Sequence, residues 1–168
     1  SRFERRAGID GREGHLVLLA KNQTGWENLL QIISKSFVDG FYYKGRADWE
    51  ILEKFSEGLI VLTGGTGGLV GRSFSEFGEQ KAVETLGKIK SVFGEENVFM
   101  ELVARTYPEQ VELNKYLVQN FKNEKFVATS DARYLAESDY EAADTLSCIG
   151  RNAQVYDEHR VKFAENNW

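Results

Sequence analysis

Apolar residues in this chain fall into two kinds of run that alternate along its length. Short, mostly apolar runs read as buried strands: residues 15–20 (HLVLLA), 58–65 (GLIVLTGG), 97–103 (NVFMELV) and 125–129 (KFVAT). Between them the apolar positions recur at helical spacing. Leu29, Leu30, Ile32, Ile33 and Phe37 share one face of a helix expected to end near Gly40, and residues 24–27 (TGWE) have the spacing of a capping box. Asp48 is placed to cap a shorter helix carrying Ile51, Leu52 and Phe55. Val83, Leu86, Ile89 and Phe93 predict a helix over 79–93, despite Gly87 within it. Residues 106–109 (TYPE) repeat the capping-box spacing, with Pro108 tolerated in the first turn, before a helix presenting Val111, Leu117, Val118 and Phe121. A last helix starts at Ser138 or Asp139 and runs through Leu146, and the tail from Gly150 reads as polar and loop-like. Strands alternating with helices predict an α/β fold, a largely parallel sheet or barrel, with no internal repeat or obvious linker.

At 168 residues, with 42% apolar and 12% aromatic content, the chain has the size and composition of one domain or of a piece of a larger protein. A formal net charge of -5 gives no support to a broad phosphate-binding face. The single cysteine, Cys148, rules out an internal disulfide and reads as a small buried hydrophobe. No apolar run approaches a membrane span and the charged start is unlike a signal peptide, so the expected compartment is the cytoplasm. The chain opens without Met on an Arg-rich segment (SRFERR), as a cut fragment would. Such a fragment, with exposed sheet edges, can dimerise or swap elements.

Candidate chemistry gathers where strands end. The loop TGGTGGLVGRS (residues 63–73) lacks the lysine of a P-loop, has Thr66 where the first P-loop glycine belongs, and misses the dinucleotide spacing by one residue. A tight strand-to-helix turn is the preferred reading, with loose anion binding as the minor one. Asp131 follows the fourth strand, the position of a natural metal ligand, but Arg133 stands two residues on, and a guanidinium repels a metal instead of binding it. Pairing of Asp131 with Arg133 or Arg105 is the simpler reading. His15 at the start of the first strand needs ligand partners from elsewhere, and Glu101 reads as a paired or edge carboxylate. His159 lies in the tail and reads as exposed, and two histidines leave little from which to build a Ser-His-Asp or Cys-His arrangement.

Several stretches together resemble one family: residues 15–46 (HLVLLAKNQTGWENLLQIISKSFVDGFYYKGR), 56–65 (SEGLIVLTGG), 99–110 (FMELV through YPEQ) and 127–135 (VATSDARYL). They are similar to the polymerase-and-histidinol-phosphatase (PHP) domain at the start of bacterial DNA polymerase III alpha subunits. The resemblance covers residues 1–163, a partial PHP domain, with 164–168 as the start of a linker to a following polymerase region. It implies a distorted TIM-like β/α barrel whose strand ends, in metal-competent members, hold a metal cluster that activates water for phosphoester hydrolysis or proofreading. The family's N-terminal His-x-His strand and Glu-bearing strand do not appear, and SRFERR resembles the segment just after that Glu.

Set against the family pattern, the ligand positions are His15, Gly65 where relatives have Cys, Arg105 where they have His, Asp131, and Arg133 where they have His; Ala143 also replaces a frequent His. Only His15 and Asp131 keep a ligand type. The resemblance therefore implies a degenerate, metal-free PHP region with no catalytic residue and no cofactor of its own, its vacated charge filled by guanidinium–carboxylate pairing. It also implies partners: the rest of the polymerase alpha subunit, a proofreading exonuclease docked on this platform, and DNA reached through the parent enzyme, whose Mg2+-binding aspartates lie outside the chain. The competing reading is a metal-dependent phosphoesterase or 3'-5' exonuclease whose remaining ligands lie upstream. A free-standing α/β binding module is a third, weakened by the extent of the resemblance.

Overall fold

The computed structural model of the chain describes residues 14–105, 107–130 and 132–157. Four strands, β1 (Val17–Ala20), β2 (Leu59–Leu62), β3 (Val98–Val103) and β4 (Phe126–Thr129), lie side by side in chain order. Each falls inside a run read as a strand from the sequence. β2 pairs with β3, and β3 with β4, in parallel, while β1 pairs with β2 antiparallel, Val17 opposite Leu62 and Ala20 opposite Leu59. The mixed α/β class expected from the alternation is observed, and among the described residues the sheet does not close into a barrel.

Helices α1 (Gln23–Val38), α2 (Trp49–Lys54), α3 (Leu69–Phe77), α4 (Glu79–Phe93), α5 (Pro108–Asn120) and α6 (Tyr140–Arg151) connect and cover the strands. The α4 boundaries match the periodicity. α1 starts two residues earlier than its TGWE signal, because the Asn22 side chain takes the Gly25 N–H at 2.9 Å and Asn22, not Thr24, becomes the cap. Asp48 caps α2 as expected, accepting from the Ile51 N–H. The cap of α5 is Tyr107, with Pro108 in the first turn; the expected Thr106 cap lies outside the described residues. α3 is an element the pattern did not announce: its cap is Gly68, it contains Gly71, and it joins α4 through Ser73 Oγ and Thr85 Oγ1 at 2.8 Å. α6 runs five residues past Leu146 and stops where Asn152 turns left-handed.

The core lies between the sheet and its covering helices. Leu59 and Val61 of β2, Ile89 of α4, Met100 of β3 and Leu117 of α5 are fully buried, each worth about 1.5–3 kcal/mol in apolar burial. Phe74 of α3 stacks on Tyr116 of α5 with centroids 4.1 Å apart, closing the core at one side. Five positions expected to face the core are exposed instead. Val83 and Val118 are exposed, their helices being buried instead through Ala82 and through Leu113 and Tyr116. On α1 only Ile32 of the apolar set is fully buried, while Leu30, Ile33 and Phe37 face outward. Cys148 is buried, as expected of a small apolar side chain. Among the described residues no helix is long and apolar enough to cross a membrane.

Candidate functional site

The direction of β1 decides what meets at the strand ends. Because β1 is antiparallel to β2, its amino end lies beside the carboxyl ends of β2, β3 and β4. One edge of the sheet therefore collects His15, the glycine loop after Leu62, Arg105 just past Val103, and the segment after Thr129 that leads to Arg133. In open α/β sheets this carboxyl edge is where ligands gather. Asp131, the best placed ligand type in the sequence, lies outside the described residues, as do His159 and SRFERR.

His15 is tied to the loop by its backbone: its N–H donates to the Gly67 carbonyl at 3.2 Å, and its carbonyl accepts from the Leu69 N–H at 3.1 Å. Its exposed imidazole lies against the loop. A methyl group at Gly64 would stand 2.8 Å from Nε2, and one at Gly67 would stand 2.7 Å from Cε1. These glycines are thus explained by the close approach of a ring and by the positive φ of Gly64 (80°). The loop is a strand-to-helix turn packed on a histidine, in line with the preferred sequence reading.

Glu101 is buried near the end of β3, and both its oxygens are engaged. Oε2 accepts from the Gly64 N–H at 3.0 Å, Oε1 accepts from the Thr129 hydroxyl at 2.6 Å, and the Glu101 N–H donates to Thr63 Oγ1 at 3.0 Å. One carboxylate thereby joins the ends of β2, β3 and β4. It is a paired group, as its simpler sequence reading held, although its partners are neutral donors.

Gly65, with φ of 52°, faces Gln110, a residue the sequence reading passed over. Gln110 is completely buried in the first turn of α5. Its Oε1 accepts from the Thr66 N–H at 3.1 Å and the Tyr107 hydroxyl at 3.4 Å, while Nε2 donates to Asn114 Oδ1 at 2.8 Å. Asn114 in turn donates to the Val103 carbonyl at 2.9 Å, and Thr66 Oγ1 lies 3.3 Å from the Tyr107 hydroxyl. A side chain at position 65 would place its Cβ 2.9 Å from Gln110 Oε1 and 2.9 Å from Val103 Cγ2. The space a ligand at position 65 would need is filled by an amide. A signal for Gln110 was present: it stands three and seven residues ahead of Leu113 and Leu117, so a polar residue occupies the buried stripe of α5.

Arg105 is buried beside this cluster, at 7% exposure. Arg133 is exposed and lines a shallow groove with Ala143, Leu146, Ser147, Gly150 and Arg151 of α6, so two of the expected family positions, 133 and 143, meet there. Among the described residues no group of three or more His, Cys, Asp or Glu side chains comes together to hold a metal ion. The described donors at the strand ends do not fit a metal cluster: one imidazole, one carboxylate already bonded through both oxygens, a glycine and a buried guanidinium.

Residues 3–105 match the PHP domain family. The chain is 36% identical over 156 residues to the DNA polymerase III subunit alpha of Borreliella burgdorferi, covering 92% of this chain and 14% of the relative. Against the subunit of the same name from Treponema pallidum identity is 34% over 166 residues, covering 97% and 14%. Against that of Aquifex aeolicus it is 35% over 175 residues, covering 99% and 15%. The chain thus spans about one seventh of the length of these curated relatives.

Proposed function

The chain belongs to the PHP domain family, and from that premise we propose that it is a segment of a bacterial DNA polymerase III alpha subunit whose PHP region is metal-free and serves as a structural platform for a proofreading exonuclease. The parent role is DNA-templated synthesis with Mg2+, carried by regions outside this chain. The observation that carries the metal-free reading is the closed hydrogen-bond cluster at the strand ends. Glu101 there holds the loop and the β4 hydroxyl, and Gln110 fills the space in front of Gly65. The family resemblance puts Arg105 and Arg133 at positions where metal-competent relatives are expected to carry histidines, and a guanidinium offers a metal no lone pair. Removing ligands in this way keeps the barrel segment folded while removing hydrolytic chemistry, which leaves binding as the function of the surface.

Elemental mass spectrometry tests this, after zinc and manganese loading and desalting, on the chain and on a version extended upstream. The expected result is less than stoichiometric metal in both. Tightly bound, stoichiometric metal in the extended protein overturns the reading and favours a metal-dependent phosphoesterase or exonuclease. The docking half is tested by titrating the protein with a proofreading exonuclease subunit in a calorimeter; absence of heat at high micromolar concentration refutes it.

A further inference from the structure

The groove beside α6 is built from one face of that helix and the loop before it. Leu146, Ser147 and Gly150 follow Ala143 by three, four and seven residues, which puts all four on the same face, and Arg133 and Arg151 complete the lining. α6 is fully buried at Asp144 and Cys148 alone, so the groove face is left open. Ala143, Ser147 and Gly150 are small enough for another backbone to come close, while Leu146, 68% exposed, offers an apolar contact. The volume is about 460 Å3, within the range of roughly 300–1,000 Å3 typical of ligand sites.

Charge decides what fits. Both charged residues of the lining are arginines, in a chain whose net charge is -5. A guanidinium is a planar fork of donors that matches the two oxygens of a carboxylate or phosphate. A nucleic-acid strand needs a basic surface that tracks its backbone and aromatic rings on which its bases stack. Among the described residues the lining has no aromatic ring and no third cation, and its remainder is Ala, Leu, Ser and Gly. A peptide carrying carboxylates beside an apolar side chain satisfies both parts of this surface. Polar groups around a small apolar floor also resemble an interface between separate proteins more than a permanent one, which is larger and more hydrophobic.

We propose that this groove binds an acidic peptide segment of a separate protein, with an apolar side chain against Ala143 and Leu146 and carboxylates paired to Arg133 and Arg151. The inference goes beyond the platform reading by naming a surface and the chemistry it recognises, and it is independent of whether the strand ends hold a metal. The small site sets a weak dissociation constant, on the order of 10–100 μM.

Random peptides displayed on phage, selected against the 168-residue protein, are the probe. Enriched sequences are expected to set Asp or Glu beside Leu, Ile or Val, and a fluorescein-labelled copy of one is titrated by fluorescence polarisation. Arg133→Glu and Arg151→Glu each weaken its binding at least about tenfold. The corresponding lysine variants weaken it less, because they keep the charge and lose only the fork. Leu146→Asp also weakens it, by setting a carboxylate where the peptide brings its own. All three positions are exposed, so the circular dichroism spectrum stays unchanged. Failure to enrich acidic peptides overturns the proposal, as does binding untouched by the arginine substitutions. A fluorescein-labelled oligothymidine that displaces the peptide and depends on the same arginines overturns it in favour of nucleic-acid phosphate. Peptide binding that is lost in the whole polymerase subunit, the one arm that rests on the segment reading above, overturns the separate partner in favour of cover from within that subunit.

Discussion

Replacing Gln110 with methionine keeps nearly the same side-chain volume while deleting both polar ends of a fully buried group. In the wild type, Gln110 Oε1 satisfies the Thr66 N–H, and Nε2 satisfies Asn114 Oδ1, which leaves the Asn114 amide oriented to donate to the Val103 carbonyl. A buried polar group left without a partner costs about 1–3 kcal/mol. Two are orphaned here, but Thr66 and Asn114 are half-buried, so water recovers part of the loss. The net destabilisation is then about 2 kcal/mol. Urea unfolding followed by circular dichroism reads this directly: with a slope of about 2 kcal/mol/M, the midpoint falls by about 1 M. Gln110→Ala adds a cavity and falls further, by about 3 kcal/mol in all. A Gln110→Met protein within about 0.5 kcal/mol of wild type refutes the view that hydrogen bonding, and not mere filling, closes the strand ends.

Other consequences follow from the same contacts. Gly65→Ala combines a left-handed backbone with a Cβ 2.9 Å from Gln110 Oε1 and is expected to destabilise by about 2 kcal/mol. The penalty should shrink in a Gln110→Ala background, and full additivity in a double-mutant cycle argues against the contact. Ile89→Ala, at a fully buried position of α4, is expected to cost about 3–4 kcal/mol by the same urea assay, whereas Val83→Ala on the exposed side should stay within about 0.5 kcal/mol. Lys90 Nζ donates to Glu124 at 2.6 Å and to Glu95 at 3.0 Å. Burial pulls the Lys90 ammonium down, but hydrogen bonds and attraction from the two carboxylates outweigh it and leave its pKa raised, while the Lys90 hydrogen bond lowers that of Glu95. The lysine's contribution is therefore complete below its ordinary pKa and lost as pH rises through the raised one. That of Glu95 is present above the ordinary carboxylate range and lost as pH falls through its lowered value. Thermal melts of Lys90→Met against wild type should show their largest difference near neutral pH and a shrinking one at both extremes; a constant difference refutes the pairing.

The sequence by itself determined those features that depend on residues near one another along the chain. The strand runs are short, mostly apolar segments, α4 is bounded by its own periodicity between Gly78 and Gly94, and Asp48 caps α2 with an oxygen three residues from the N–H it accepts. The family pattern of residues was legible too, since it is carried by strings such as HLVLLAKN. What only the tertiary structure decided depends on groups far apart in the chain. The antiparallel course of β1 brings His15 to the same edge as Gly64 and Glu101, and no local pattern encodes strand direction. Gln110 becomes a buried clasp because Thr66, 44 residues away, presents an N–H to it. On α1, apolar periodicity named the face but not how much of it the sheet would cover: Ile32 went inside, and Leu30, Ile33 and Phe37 stayed out. Hydrophobicity is a property of each side chain, whereas burial is a property of whatever packs against it, and that is set by the whole fold.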